Sequence, residues 1–292
     1  MTPAFPPWLK VNVNTEKMRQ LDEVFKCSGI ETICWNAGCP NICECYEKDT
    51  ATFLLMGNIC SRHCAFCGVT KGKPHRLNQN EVANIVQAID RLNLTYLVLT
   101  SVTRDDLPDG GATYLRDAIL EFKKRDKLLV EVLIPDFRGD EKLLNIIISA
   151  KPVVLGHNLE TVERLYPLVR PEADYNRSLN VLAYVKKMAP SILTKSSILL
   201  GLGEDENDLG RILKDLGSVK LDILILCQYL QPSKDQLDVK EYIHPKKFAS
   251  LKQKALETGI KYVIAEPLAR TSYKAYEVYK NFNGCDFDVI KK

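Results

Sequence analysis

The chain has 292 residues, 46% of them hydrophobic, and a formal net charge of +3. Such a chain can bury a sizeable core, so disorder is excluded as the default, and the near-balanced charge argues against a protein dominated by nucleic-acid phosphates. No run approaches the roughly 18–20 apolar residues of a membrane span, and no signal-like apolar block opens the sequence, which predicts a soluble, cytoplasmic protein.

Residues 1–50 show little periodic patterning and carry Pro3, Pro6, Pro7 and Pro40. They hold Cys34, Cys39 and Cys45 at C-x4-C-x5-C spacing and read as an irregular, ligand-bearing extension. Residues 52–56 form a short apolar run ended by Gly57-Asn58, and Cys60, Cys64 and Cys67 follow at C-x3-C-x2-C spacing. Unbroken apolar runs recur at 96–100, 129–134, 152–155, 197–200, 222–226 and 262–264, the pattern of parallel strands buried on both faces. Between them, Val82, Ile85, Val86 and Ile89 recur at helical spacing, as do Leu115, Ala118, Ile119 and Phe122, and Leu209, Ile212, Leu213 and Leu216. Alternating strands and helices predict a barrel or open barrel with its active site at the carboxyl ends of the strands. The cysteine loop sits at such an end. So do Thr103 to Asp106, Asp109 to Gly111, Asp136 to Arg138, His157-Asn158, Gly201 to Glu204 and Gln228. Nothing resembling a linker divides the chain, so we expect one barrel domain over 51–265 with extensions at 1–50 and 266–292.

Ten cysteines are present, six of them in the two tight groups. In a chain too large to need disulfide staples this points to metal chemistry in a reducing compartment. Cys27, Cys43, Cys227 and Cys285 read as ordinary buried thiols. Three thiols can hold three corners of an iron–sulfur cube and leave one iron open. The same residues also fit a structural zinc site with His63 as fourth ligand, in a protein with no catalytic role.

The loop of Cys60, Cys64 and Cys67, with an aromatic Phe66 before the last cysteine, resembles the radical S-adenosylmethionine (SAM) superfamily. That resemblance implies an α/β partial (β/α)6 barrel. It also implies a [4Fe–4S] cluster on these three cysteines whose open iron is chelated by SAM, with Phe66 flanking the adenine. The upstream C-x4-C-x5-C group is similar to that of lipoyl synthases. So are Pro7-Trp8-Leu9-Lys10, Arg104-Asp105-Asp106-Leu107, Glu160-Thr161-Val162, Val169-Arg170-Pro171, Gln228-Tyr229-Leu230-Gln231-Pro232-Ser233 and Arg270-Thr271-Ser272-Tyr273. The resemblance implies a second, auxiliary [4Fe–4S] cluster held by Cys34, Cys39, Cys45 and Ser272. The implied reaction is radical insertion of two sulfur atoms, at C6 and C8, into an octanoyl chain on a lysine of a lipoyl carrier. That carrier is a dehydrogenase-complex acyltransferase subunit or the glycine cleavage H protein, and electrons come from a flavodoxin or ferredoxin. A different sulfur-inserting or methylthiolating radical SAM enzyme is the alternative within the superfamily.

Thr271, Glu266, Ser197, Cys227 and Gln236 depart from the family pattern, Ser197 and Cys227 standing where glycines are usual. Asn158 and Lys195, read as lying near strand ends on the mouth side, are candidates to touch the cofactor or the substrate. Arg62, Lys71, Lys73 and Arg76 are candidates to meet an acidic carrier.

Overall fold

The computed structural model describes residues 5–10, 19, 23, 25, 27–47, 52–92, 94–282 and 284. Two short helices, α1 (Ile33–Asn36) and α2 (Ile42–Glu47), precede strand β1 (Thr52–Leu55). A small parallel pair follows, β2 (Ile59–Cys60) and β3 (Thr70–Lys71), enclosing the cysteine loop. The chain then runs α3 (Glu81–Leu92), β4 (Tyr96–Ser101), α4 (Ala112–Phe122), β5 (Leu129–Leu133), α5 (Glu141–Ser149) and β6 (Val154–Gly156). It continues through α6 (Tyr166–Val169), α7 (Tyr175–Met188), β7 (Leu193–Leu200), α8 (Glu206–Ser218), β8 (Ile223–Gln228), α9 (Pro245–Glu257), β9 (Tyr262–Ala265) and α10 (Ala275–Phe282).

Strands β1 and β4 to β9 form one all-parallel sheet in chain order, each paired to the next. Each step crosses over through a helix, and right-handed crossovers repeated in one direction roll such a sheet into an open barrel. β9 adds a seventh strand to the six of the implied barrel. The helices cover the outside, as their spacing predicted. Leu115, Ala118, Ile119 and Phe122 of α4 are buried, and so are Leu209, Ile212, Leu213 and Leu216 of α8.

The two faces of the sheet are distinguished by what their side chains meet. On β8, Leu224 and Leu226 pack with α8 and α9 residues, whereas Ile223, Ile225 and Cys227 pack with Val154, Leu193 and Val278 of α10. The second set is the concave face, and α10 lies against it. β7 starts at Leu193, four residues before the apolar run at 197–200. Thr194, Lys195, Ser196 and Ser197 are polar yet buried. Lys195 therefore lies near the amino end of its strand and not at the mouth, a correction that hydropathy could not supply because polar side chains here face a polar layer inside the barrel.

Candidate active site

The loop 60–68 is anchored on every side. The Ser61 N–H donates to Thr103 O, that of Ala65 to Val169 O, and Leu237 N–H donates to Ala65 O. Arg62, expected on a carrier-facing surface, is instead buried. It reaches Asp105 through Nε (2.6 Å) and Nη2 (3.1 Å), and Asp136 through Nη2 at 2.7 Å. A buried guanidinium needs such partners, and they clamp the loop onto β4 and β5. Lys73 and Arg76 are exposed and Lys71 is half-buried. Gly68 is tightly packed. A Cβ there would lie 3.0 Å from Pro232 Cβ and 3.4 Å from Ala37 Cα, so the cysteine loop, the amino-terminal segment and the Gln231-Pro232-Ser233 turn meet in direct contact.

One cavity at the carboxyl end of the sheet brings the two cysteine groups together. It is lined by Cys60, Cys64 and Cys67, by Cys34 and Cys39, and by Phe66, Asn158 and Ser272. Cys45 is half-buried behind this lining, on α2. Its neighbour Glu44 accepts a 2.8 Å hydrogen bond from the hydroxyl of Tyr273, the residue after Ser272. The Asn41 side chain also donates to Leu268 O. The amino- and carboxyl-terminal segments are thus bonded to each other beside the cavity. Lys195 is not among the lining residues, since its Nζ is engaged by Glu131 at 2.8 Å in the barrel interior. His63 is 61% exposed with Nδ1 2.9 Å from Glu172 Oε1, and it too stands outside the lining, which removes the fourth ligand of the zinc alternative. Cys227 is buried as expected, but Cys27 is exposed, because it lies on the outer side of the amino-terminal segment. Cys285 and the side chain of Cys43 lie outside the described residues.

Several lining residues carry no role in the sequence reading: Ser101, His157, Glu160, Arg170 and Arg270. Glu160 adopts a left-handed φ of 66°, a conformation that costs energy for a non-glycine residue and clusters at functional sites. Its backbone bridges to β7 through Glu160 N–H to Ser197 O and Leu199 N–H to Glu160 O. Asn158 Nδ2 donates to Glu160 Oε1 at 2.9 Å and to Thr271 Oγ1 at 3.0 Å. The Arg170 guanidinium donates to the carbonyls of Asn158 and Leu159 and lies beside Cys64. The signal for Glu160 was the Glu160-Thr161-Val162 stretch, similar to that of lipoyl synthases.

The donor set fits an iron–sulfur cluster with a polar ligand beside it. Burial pushes the thiols of Cys34 and Cys67 up to about 12 and raises those of Cys39 and Cys64. A thiolate forms in such surroundings when a metal stands against it. Cys60 Sγ already accepts from the N–H groups of Arg62 and Thr103, at 3.5 and 3.4 Å. Ser101 Oγ, His157 Nε2, Asn158 Oδ1 and Arg170 Nε are buried in the lining without a hydrogen-bond partner. Buried polar groups are nearly always paired, so these four atoms call for a ligand that offers both donors and acceptors.

A rolled parallel sheet with a three-thiol loop behind its first strand defines a radical SAM protein, and the Radical SAM superfamily profile matches residues 54–216. Solved structures share the fold. Methylornithine synthase has a TM-score of 0.55 at 14% identity over 90% of this chain and 82% of that one. SuiB of Streptococcus suis bound to S-adenosylmethionine has 0.58 at 9% identity over 77% and 53%. Sequence relatives narrow the class. The chain is 48% identical to lipoyl synthase of Caldicellulosiruptor saccharolyticus and 46% to that of Caldanaerobacter subterraneus subsp. tengcongensis, in both cases over 94% of this chain and 97% of the relative. It is 44% identical to that of Aquifex aeolicus over 92% and 98%. The chain belongs to the lipoyl synthase family.

Proposed function

We propose that this chain inserts two sulfur atoms, at C6 and C8, into an octanoyl chain borne on a lysine of a lipoyl carrier domain. The observation that carries this reading is the shared cavity, whose lining includes cysteines of both groups, Asn158 and Ser272. In this reading Cys60, Cys64 and Cys67 hold the [4Fe–4S] cluster that binds SAM. Cys34, Cys39, Cys45 and Ser272 hold the auxiliary one, and residues 1–50 and 266–292 are extensions that carry its ligands around a barrel of 51–265. When bound, these groups supply an electron, a 5′-deoxyadenosyl radical and sulfide sulfur. The protein contributes position and enclosure. Phe66 and Asn158 orient SAM, together with Glu160 and Arg170. The apolar side chains of Leu54, Val98, Leu133 and Leu199 keep water from the acyl chain, so that a carbon radical meets sulfur before any other partner. The oxygen of Ser272 would hold an iron more weakly than a thiolate, which would suit a cluster whose chemistry is to supply sulfur. The carrier is an acyltransferase subunit or an H-type protein, and a flavodoxin or ferredoxin supplies electrons. A reducing, cytoplasmic location suits two groups of free thiols, and no helix among the described residues is long and apolar enough to cross a membrane.

Anaerobic reconstitution followed by mass spectrometry of an octanoyl-lysyl peptide tests the reading. We expect about eight irons per chain for two cubes and a product carrying two added sulfurs. Replacing Cys60, Cys64 or Cys67 with Ala is expected to abolish deoxyadenosine formation. Replacing Cys34, Cys39 or Cys45 is expected to leave that cleavage measurable while eliminating sulfur insertion. Full lipoyl formation by the second set would overturn the assignment.

A further inference from the structure

The concave face continues below the cavity. Val98 of β4, Leu133 of β5 and Ser197 of β7 line it. Two residues back along each strand, and therefore on the same face, stand Tyr96, Glu131 and Lys195. These three make one hydrogen-bonded group. Lys195 Nζ donates to Glu131 Oε1 at 2.8 Å, and the Tyr96 hydroxyl donates to Glu131 Oε2 at 2.6 Å. Glu131 and Lys195 are almost wholly buried. Helix α10 closes the group from beneath. Tyr276 stacks on Tyr96 with 5.3 Å between ring centroids, Tyr279 lies at 5.9 Å, and Val278 packs with Val154, Leu193, Ile223 and Ile225.

A buried ion pair is a poor source of stability, since apolar residues of similar volume serve as well or better. Its place in this barrel suggests another use. The layer above it presents Val98 and Leu133 beside the small Ser197, the layer itself is charged, and the rings of Tyr276 and Tyr279 on the helix beyond pack against Tyr96. We propose that the Tyr96–Glu131–Lys195 layer is the floor of the acyl site and sets its length. The methyl end of an eight-carbon chain rests on this floor, whereas a longer chain has to displace the ion pair and strand its charges. This rests on the sulfur-insertion reading for the identity of the acyl substrate.

The test is calorimetric titration of the full-length, cluster-reconstituted protein, with SAM present and reductant withheld, using lysyl peptides that carry hexanoyl, octanoyl, decanoyl or dodecanoyl chains or none. Affinity is expected to rise about fourfold per methylene up to octanoyl, the factor for burying one CH2, and to fall at decanoyl. The variant Y96F/E131A/K195A removes the three polar groups together and deepens the site. Its maximum is expected to move to decanoyl or dodecanoyl. V98F fills the layer above, and its maximum is expected to move to hexanoyl. Wild-type affinity that climbs without a break to dodecanoyl overturns the proposal. So does an octanoyl maximum retained by either variant that melts as a folded protein. If the triple variant does not fold, the wild-type series and V98F decide. Wild-type protein that binds octanoyl and unacylated peptides equally would instead sink the acyl-substrate reading itself.

Discussion

Asp136 accepts from three donors while fully buried: Arg62 Nη2 and Arg177 Nε, both at 2.7 Å, and the backbone N–H of Arg138 at 3.1 Å. Burial alone would raise its pKa, but the hydrogen bonds from Arg62 outweigh that and hold the carboxyl well below the usual range. A depressed carboxylate stabilises the fold above its unfolded pKa near 4 and loses that contribution as pH falls. Asp136→Asn is expected to cost roughly 2–4 kcal/mol at neutral pH, because the charge between Arg62 and Arg177 is lost and one of the two acceptor oxygens becomes a donor facing a guanidinium. The loss should shrink in acid, as urea unfolding between pH 7 and 3 would register. His157 acts in the same direction on acidification, through a base kept neutral instead of an acid kept charged. Burial, reinforced by the Arg170 charge, lowers its pKa to about 4 from 6.5, so the folded chain keeps it neutral. The unfolded chain takes up the proton first. Stability is thus complete above pH 6.5 and falls by about 3 kcal/mol as pH drops to 4. His157→Gln should flatten that slope in the cluster-free protein. With Nδ1 bonded to Ile134 O, the neutral ring turns Nε2 toward the cavity as an acceptor.

At the scale of elements, the turns after the strands do more than connect. Phe137 and Arg138, at φ 44° and 54°, make a strained turn after β5, and it is this turn that presents the Asp136 carboxylate to the cysteine loop. Gly201, at φ 97° after β7, admits no side chain, since a Cβ would lie 2.3 Å from Glu241 O and 2.4 Å from Gln228 Nε2. Gly201 and Gly203, both at positive φ, therefore serve a turn, as Gly110 and Gly111 do against Phe137 and Met56. Helix α8 begins with a reciprocal cap in which the Asp205 side chain accepts from Asp208 N–H and the Asp208 side chain from Asp205 N–H. Asp205→Ala is expected to cost about 1 kcal/mol, lowering the melting temperature while leaving SAM cleavage unchanged, because the cap lies on the outer helical layer.

For the whole molecule, the barrel is closed at one end by α10 and occupied at the other by the two cysteine groups. The polar layer between them couples the ends to the stability of the fold. Lys195→Met alone leaves Glu131 buried without its cation and is expected to cost about 3–5 kcal/mol, whereas E131L/K195M should cost much less. A chemical-denaturation double-mutant cycle measures that difference.

The alternation of apolar runs and helical periods carried the α/β barrel, because burial on both faces of a parallel strand demands it locally. The spacing of Cys60, Cys64 and Cys67, and of Cys34, Cys39 and Cys45, carried the proposed chemistry, because residues so close in sequence stay near one another in space whatever the fold. The tertiary structure decided what depends on distant partners. Tyr273 meets Glu44 across 229 residues, and Asn41 meets Leu268 across 227. Arg62 turns inward to Asp105 and Asp136, and Glu160, Arg170 and His157 gather beside Asn158. The polar first half of β7 is buried because each side chain finds a distant partner: Thr194 meets Asp222, Lys195 meets Glu131 and Ser196 accepts from Leu159 N–H. Apart from His157 and Glu160, which neighbour Asn158 in the sequence, these pairings have no local signal, since each is set by the register of strands and loops that only the rolled sheet brings into contact.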